Sequence, residues 1–254
     1  GPCRHGATMI LPELWSDSFW LACTVAALGG FFRGFSGFGG VMAMTPLFAL
    51  IMPAPQAAVL SIVLDALGAV PVMPHAFKHA QHRTAWVMAA AATVALLPGV
   101  WILTTVESPI MRNVVAVTVV LAALLLLSPW RYKGPQTIAT DAVVGATSGF
   151  LAGATSMAGP PFILYLTALR LPATVTRATF IYYSMLMTVG AFGFFWWFGI
   201  LTLDLLLLAA TLAPANIAAV LIGQRLFRLV NDEGFRRFTL VFLVALGASV
   251  LMFG

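Results

Sequence analysis

Gly34-Phe35-Ser36-Gly37-Phe38-Gly39-Gly40 and Gly153-Ala154-Thr155-Ser156-Met157-Ala158-Gly159-Pro160-Pro161 are the two stretches on which the fold turns. Each interrupts an apolar run much longer than one bilayer crossing. Glu13–Ile51 and Thr140–Leu169 run about 39 and 30 residues where roughly 20 would span. Glycines and paired prolines in mid-run read as helix breaks. Irregular backbone at membrane depth is tolerated only where protein or a wet cavity satisfies its polar groups, so the breaks point to a cavity. The stretches also match each other. A shift of 119 positions aligns Gly30 with Gly149, Phe31 with Phe150, Gly34 with Gly153, Gly40 with Gly159 and Pro53 with Pro172. That register gives about a dozen identities in some 44 positions without a gap, and the Gly and Pro matches carry the information.

The rest of the chain fits this frame. Its 254 residues are 61% hydrophobic and 8% charged, against roughly 25% charged in soluble domains. This composition excludes a soluble enzyme, a nucleic-acid binder and a disordered protein, and it makes the lipid bilayer the partner. The net charge of +5 reads as topology signal on loops. Further apolar segments follow the first break at Pro55–Phe77, Thr84–Val106 and Met111–Trp130. Others follow the second at Pro172–Gly199, Leu201–Ile222 and Phe238–Phe253. Gly1-Pro2 ahead of Met9 reads as a protease scar, so residues 1–12 are set aside as a tail. Residues 13–130 form the first membrane repeat, 131–139 a cytoplasmic linker and 140–254 the second repeat. Cys3 and Cys23 support neither a disulfide framework nor a metal site.

Basic residues select the topology. If all eight segments cross, Arg4, Lys78, Arg83, Arg131 and Lys133 oppose Arg112, Arg170, Arg177, Arg225, Arg228, Arg236 and Arg237. That split violates the positive-inside rule. If each broken segment instead enters and leaves on one face, only Arg4 and Arg112 oppose the other ten, with Arg33 inside the first hairpin. The expected fold is therefore an all-α polytopic membrane protein of two repeats, each a broken re-entrant helix hairpin plus three transmembrane helices. The first hairpin opens outward and the second to the cytoplasm, so the repeats are inverted. This is a recurring transporter plan, with the substrate near the midplane where the repeats meet.

The candidate site follows from that geometry. Gly30 and Gly34, like Gly149 and Gly153, have the small-xxx-small spacing of close helix packing. Gly37, Gly39 and Gly40, and Gly159 with its two prolines, read instead as true breaks. Prolines suit the first turn of a restarting helix, where a missing N–H costs nothing. Helices restarting at Val41 and Pro160 would aim free N–H groups and positive dipole ends at the cavity from opposite sides, a setting that favours an anion. Ser36, Thr155 and Ser156 add hydroxyls at the same level.

Three ionisable residues carry separate weight, because intramembrane charge is costly and defaults to function. Arg33 either contacts the substrate or forms a structural ion pair. Asp65 either neutralises Arg33 or carries a coupling proton. Arg177, near a helix start, either binds ligand or snorkels to the headgroups. Tyr182, Tyr183 and Ser184 either line the cavity or pack.

Other patterns are weaker. Gly34-Phe35-Ser36-Gly37 matches the GxSG of intramembrane serine proteases, but no histidine follows His82 to act as base. His75, His79 and His82 sit at a helix end without a nearby carboxylate or cysteine, so no metal site is assigned. The glycines lack the Lys-Ser/Thr of a phosphate loop, and no cofactor is expected.

The doubled glycine break, with proline a dozen or so residues after it (Gly34–Pro53 and Gly153–Pro172), resembles the sulfite exporter TauE/SafE family. The resemblance covers nearly the whole chain. The family's usual run of three glycines is here Gly39-Gly40 and Ala158-Gly159. The resemblance implies export of sulfite, sulfonates or related organic sulfur anions across the bacterial inner membrane by a transporter, not an enzyme. An anion channel and a serine hydrolase at Ser36 are the alternatives. The substrate-binding set expected is Arg33, Ser36, Gly37, Gly39, Gly40, Thr155, Ser156, Gly159, Arg177 and Tyr182, with Asp65 as coupling group or charge partner. The sequence leaves room for a homodimer.

Overall fold

The computed structural model describes residues 17–106, 134–156, 158–169 and 171–227, with isolated helical positions 110, 113, 114, 117, 118 and 121. The expected helix Phe238–Phe253 and most of Met111–Trp130 lie outside these residues, as do Arg4, Arg112, Arg131, Lys133, Arg170, Arg228, Arg236 and Arg237. The described residues contain helices and connecting turns, and no strand. In order they are α1 (Asp17–Ser36), α2 (Gly40–Phe48), α3 (Ala54–Ala69), a 3₁₀ turn (Val70–Val72), α4 (Met73–His79), α5 (His82–Thr105), α6 (Ile138–Thr155), α7 (Gly159–Ala168), α8 (Ala173–Trp197) and α9 (Leu203–Phe227). Among the described residues, five helical stretches are long and apolar enough to cross a membrane: Phe19–Ser36, Ala54–His79, His82–Thr105, Thr174–Trp197 and Leu203–Phe227.

Both long runs break where the glycines and prolines stand. α1 stops at Ser36 and α2 starts at Gly40; between them Gly37 and Gly39 adopt φ of 81° and 88°, open to glycine without penalty. The second break caps α6 with Ser156 at φ 62°, the left-handed region entered here by a residue that has a Cβ. In the 119-residue register Ser156 stands at the position of Gly37, and both residues have positive φ. The correspondence continues at Pro53 and Pro172, which precede α3 and α8 with near-identical angles of −56°, 139° and −53°, 141°. Pro160 and Pro161 occupy the first turn of α7, where their missing N–H groups cost nothing.

After each break the chain doubles back. The Met44 side chain reaches Gly29, and Gly40 lies against the base of the Arg33 side chain, so α2 returns beside α1. On the other hairpin the Tyr165 hydroxyl donates to Asp141 Oδ1 at 2.6 Å and lies 3.1 Å from the Thr140 hydroxyl. Nearer the tip, Ser148 donates to the Ala158 carbonyl. Each hairpin joins a long arm of 20 or 18 residues to a short one of 9 or 10. A capping box starts α6: the Thr137 hydroxyl accepts from the Thr140 N–H, and the Thr140 hydroxyl accepts from the Thr137 N–H.

The long arms pack on helices of the opposite half. On α1, Gly30 and Gly34 face the backbone at Asn216 and Val220 of α9, and Gly223 faces the Phe31–Phe35 backbone in return. On α6, Gly145, Gly149 and Gly153 meet α5 at Met88, Ala92 and Leu96, with Gly99 answering against Phe150 and Ala154. A methyl at Gly34 or Gly149 would run into backbone atoms, so glycine lets these helices touch main chain to main chain. Side chains such as Phe48, Leu60, Leu64, Met88, Leu96, Phe162 and Tyr183 fill the interior. Trp20, Trp86, Trp101, Trp196 and Trp197 are exposed, as a lipid-facing surface allows.

Candidate functional site

The two breaks meet. Gly159, at the start of α7, contacts Phe38 and Met42 at the start of α2. Beside this contact lies a cavity lined by Arg33, Asp65, Ser156, Ser184 and Thr188 and by apolar groups including Ile62, Phe180 and Met187. Gly39 and Gly159 contribute backbone to its wall. Its volume is about 40 Å³, where a single water needs roughly 10–15 Å³ on the same measure. A small ion of a few heavy atoms is on that scale.

Arg33 dominates the cavity. Its position in the last turn of α1 suits the negative end of that helix. The guanidinium is 2% exposed. One Nη donates to the Gly37 carbonyl at 2.8 Å; the other donates to Ser184 Oγ at 2.8 Å and lies 3.3 Å from Asp65 Oδ2. The Phe180 ring lies 5.8 Å from its central carbon, within cation–π range. The polar groups are only partly matched. Arg33 Nε, Asp65 Oδ1 and Ser156 Oγ are buried with no hydrogen-bond partner among the described residues. A buried polar atom without a partner forfeits its hydration, so these three atoms mark where a polar ligand gains most.

Asp65, in the C-terminal half of α3, reaches the other half of this arrangement. A Cβ built on Gly40 would come within 2.8 Å of Asp65 Oδ1, so the carboxylate lies against the first residue of α2. No side chain caps that helix start, and the first N–H groups of a helix have no acceptor within it. A negative group there is favoured by the helix dipole.

The remaining expected residues sit around the cavity rather than on its lining. Ser36 Oγ lies against the Phe32 carbonyl at 2.7 Å and the Phe38 carbonyl, and it also accepts from the Phe38 N–H, so it shapes the first turn. Gly37 supplies the carbonyl that Arg33 holds. Thr155 returns its hydroxyl to the Leu151 carbonyl at 2.8 Å. Arg177 donates to the Gly34 carbonyl, packs its stem on Gly37 and places its guanidinium 4.4 Å from the Phe227 ring, tying α8 and α9 to the end of α1. Tyr182 stacks edge-on with Phe77 and His82, away from the cavity lining.

Tyr183 and two residues without a sequence signal, Ser148 and Asn216, complete the site's frame. Tyr183 donates to Ser148 at 3.0 Å, and Ser148 holds the Ala158 carbonyl, fixing the second break. Asn216 of α9 donates to the Ala26 carbonyl at 2.9 Å and lies beside Met44. No motif flags Ser148 or Asn216, since each is an uncharged polar residue in a largely apolar helix. Tyr183 and Ser184 are flagged only with Tyr182, as residues that either line the cavity or pack.

Apolar helices of crossing length around a buried, charged cavity define a multi-pass membrane protein with an internal polar site. The sulfite exporter TauE/SafE family model matches residues 22–250, and the chain belongs to this family of membrane transporters. No curated protein and no solved structure matches the chain.

Proposed function

We propose that the protein is a secondary transporter that exports small sulfur-containing anions, sulfite or short sulfonates, across the bacterial inner membrane. The anion sits between the starts of α2 and α7, near the midplane of the bilayer. Family membership supports the transport of sulfite-type anions. The observation that carries the site is the Arg33 guanidinium, buried on the wall of a cavity that also meets the uncapped start of α2. A sulfonate head offers several acceptor oxygens, and a fixed guanidinium donates to two at once.

In this reading each broken segment is a re-entrant hairpin and the two repeats have inverted topology. The shared conformations at Gly37 and Ser156, and at Pro53 and Pro172, support two equivalent halves. The basic-residue bias supports their opposite orientation. Flux of sulfite, sulfate, short sulfonates and carboxylates into liposomes containing the purified protein tests the proposal. Saturable flux with counterflow, confined to the sulfur anions, is expected. Ohmic current would assign a channel instead, and equal flux of all the anions would remove the sulfur specificity.

A further inference from the structure

Asp65 stands where the proposed substrate would stand. Its carboxylate is 3.3 Å from an Arg33 Nη and lies against the first residue of α2. Those are the two features that make the cavity an anion site. The fit is incomplete: Asp65 uses one oxygen on one nitrogen, and both Asp65 Oδ1 and Arg33 Nε lack partners among the described residues. The guanidinium, which also holds the Gly37 carbonyl and Ser184, meets the carboxylate through one nitrogen only, short of the two-bond fork that an oxyanion can accept.

Charge accounting decides what happens when an anion enters. With Asp65 ionised, two negative groups would share one guanidinium in a cavity away from water, which like-charge repulsion and desolvation both oppose. The groups that could compensate are few. Among the elements packed against α3, α1 carries Asp17, Cys23 and Arg33. α5 carries His82 and Arg83, α8 carries Arg177, Tyr182 and Tyr183, and α9 carries Asp204 and Arg225; α2 and the 3₁₀ turn carry none. Only Arg33 from this set lines the cavity with Asp65.

We infer that Asp65 is a built-in occupant of the anion site, and that an incoming anion takes over Arg33 and the α2 start only as Asp65 accepts a proton. The inference rests on the anion site proposed above. The empty site holds guanidinium and carboxylate; the loaded site holds guanidinium, carboxylic acid and anion. The cavity keeps the same net charge in both. The proton comes from bulk water when the anion binds and returns to it when the anion leaves. A monoanion such as a sulfonate or bisulfite therefore crosses with the proton as a neutral unit, and membrane potential does no work on the loaded step.

Calorimetric titration of the purified full chain tests this with methanesulfonate, an anion that does not itself titrate near neutrality. Two buffers of different ionisation enthalpy give the proton count. The native protein is expected to take up about one proton per anion, with affinity falling about tenfold per pH unit where Asp65 is ionised in the empty site. Asp65→Asn is expected to bind without proton uptake and with affinity independent of pH. Native binding without proton uptake overturns the inference, as does an Asp65→Asn variant that keeps the native pH slope. The native count stands alone if the variant does not fold. Flux in liposomes adds a second readout: insensitivity to an imposed potential is expected, and flux that scales with potential overturns neutral co-transport. Absence of binding by any sulfur anion to folded native protein is a different result, and it overturns the anion site itself.

Discussion

Arg33 and Ser156 show how single residues are committed in this cavity. Arg33 spends three of its hydrogen-bonding directions on Gly37, Ser184 and Asp65, so it is both a structural tie and the principal charge of the proposed site. Arg33→Lys keeps the charge and loses the fork, and weaker sulfonate binding is expected. Arg33→Ala should cost roughly 2–5 kcal/mol in binding, the range for removing one member of a buried charge pair. It also strands Asp65, so the clean comparison is Arg33→Ala with Asp65→Asn. Calorimetry on both variants checks the loss, and an unchanged affinity would leave only backbone amides as ligands. Ser156 makes a second prediction of opposite signs. Its left-handed backbone costs a residue with a Cβ on the order of 1 kcal/mol, which glycine avoids. Ser156→Gly should therefore melt higher in detergent while binding anion more weakly, because the unpartnered hydroxyl is gone. A variant that is stabilised with full affinity would exclude Ser156 as a ligand.

Helices in this protein are told apart by their glycines more than by their hydropathy. Gly149 of α6 faces the Ala92 backbone, while Gly193 of α8 has nothing within 4 Å. Gly149→Ala should lower stability by about 1–3 kcal/mol through forced separation of α6 from α5. Gly193→Ala should be neutral or raise it by up to about 1 kcal/mol, from helix propensity alone. Thermal melts of the two variants side by side check this, and equal effects would mean that the α5–α6 contact is not close-packed in solution. The same distinction explains what the sequence reveals. Breaks at Gly37–Gly39 and before Pro160-Pro161 are legible because glycine and proline act locally on the backbone. The small-xxx-small spacing of Gly30 and Gly34 is legible too, as one side of a contact. Its other side, at Asn216 and Val220, is not, because every helix here is apolar and hydropathy does not choose between partners. Arg33 and Asp65 stand out as deep charges, yet their pairing depends on how α1 and α3 pack. Ser184, the third member of the cluster, lies 151 positions from Arg33 and is drawn in only by α8.

At the scale of the molecule, the two described hairpins share their break and proline geometry, and the inverted orientation proposed for them makes a topological prediction. Ile51, just past α2, and Thr174, just past Pro172, are both exposed. Cysteines placed singly at these positions, with Cys3 and Cys23 replaced, should react with an impermeant reagent from opposite faces of the membrane. Ile51→Cys should label from outside and Thr174→Cys from the cytoplasm. Labelling of both from one face would require parallel repeats and would contradict the inverted plan.

The crosswise packing of the long arms bears on how the chain is made. α1 leaves the ribosome before the other described helices, but its glycine face has its partner in α9, more than 160 residues later in the chain. At roughly 5–20 residues per second of synthesis, α1 waits on the order of ten seconds or more for the surface it is shaped to meet. α6 finds α5 already in the membrane and needs no such wait. The partner of the second hairpin's long arm thus precedes it in the chain, whereas the first hairpin, which carries Arg33, is translated well before its own partner. Of the two side chains that hold the Arg33 guanidinium, Asp65 of α3 is made well before Ser184 of α8, so the ion pair is complete in sequence long before the rest of the cavity.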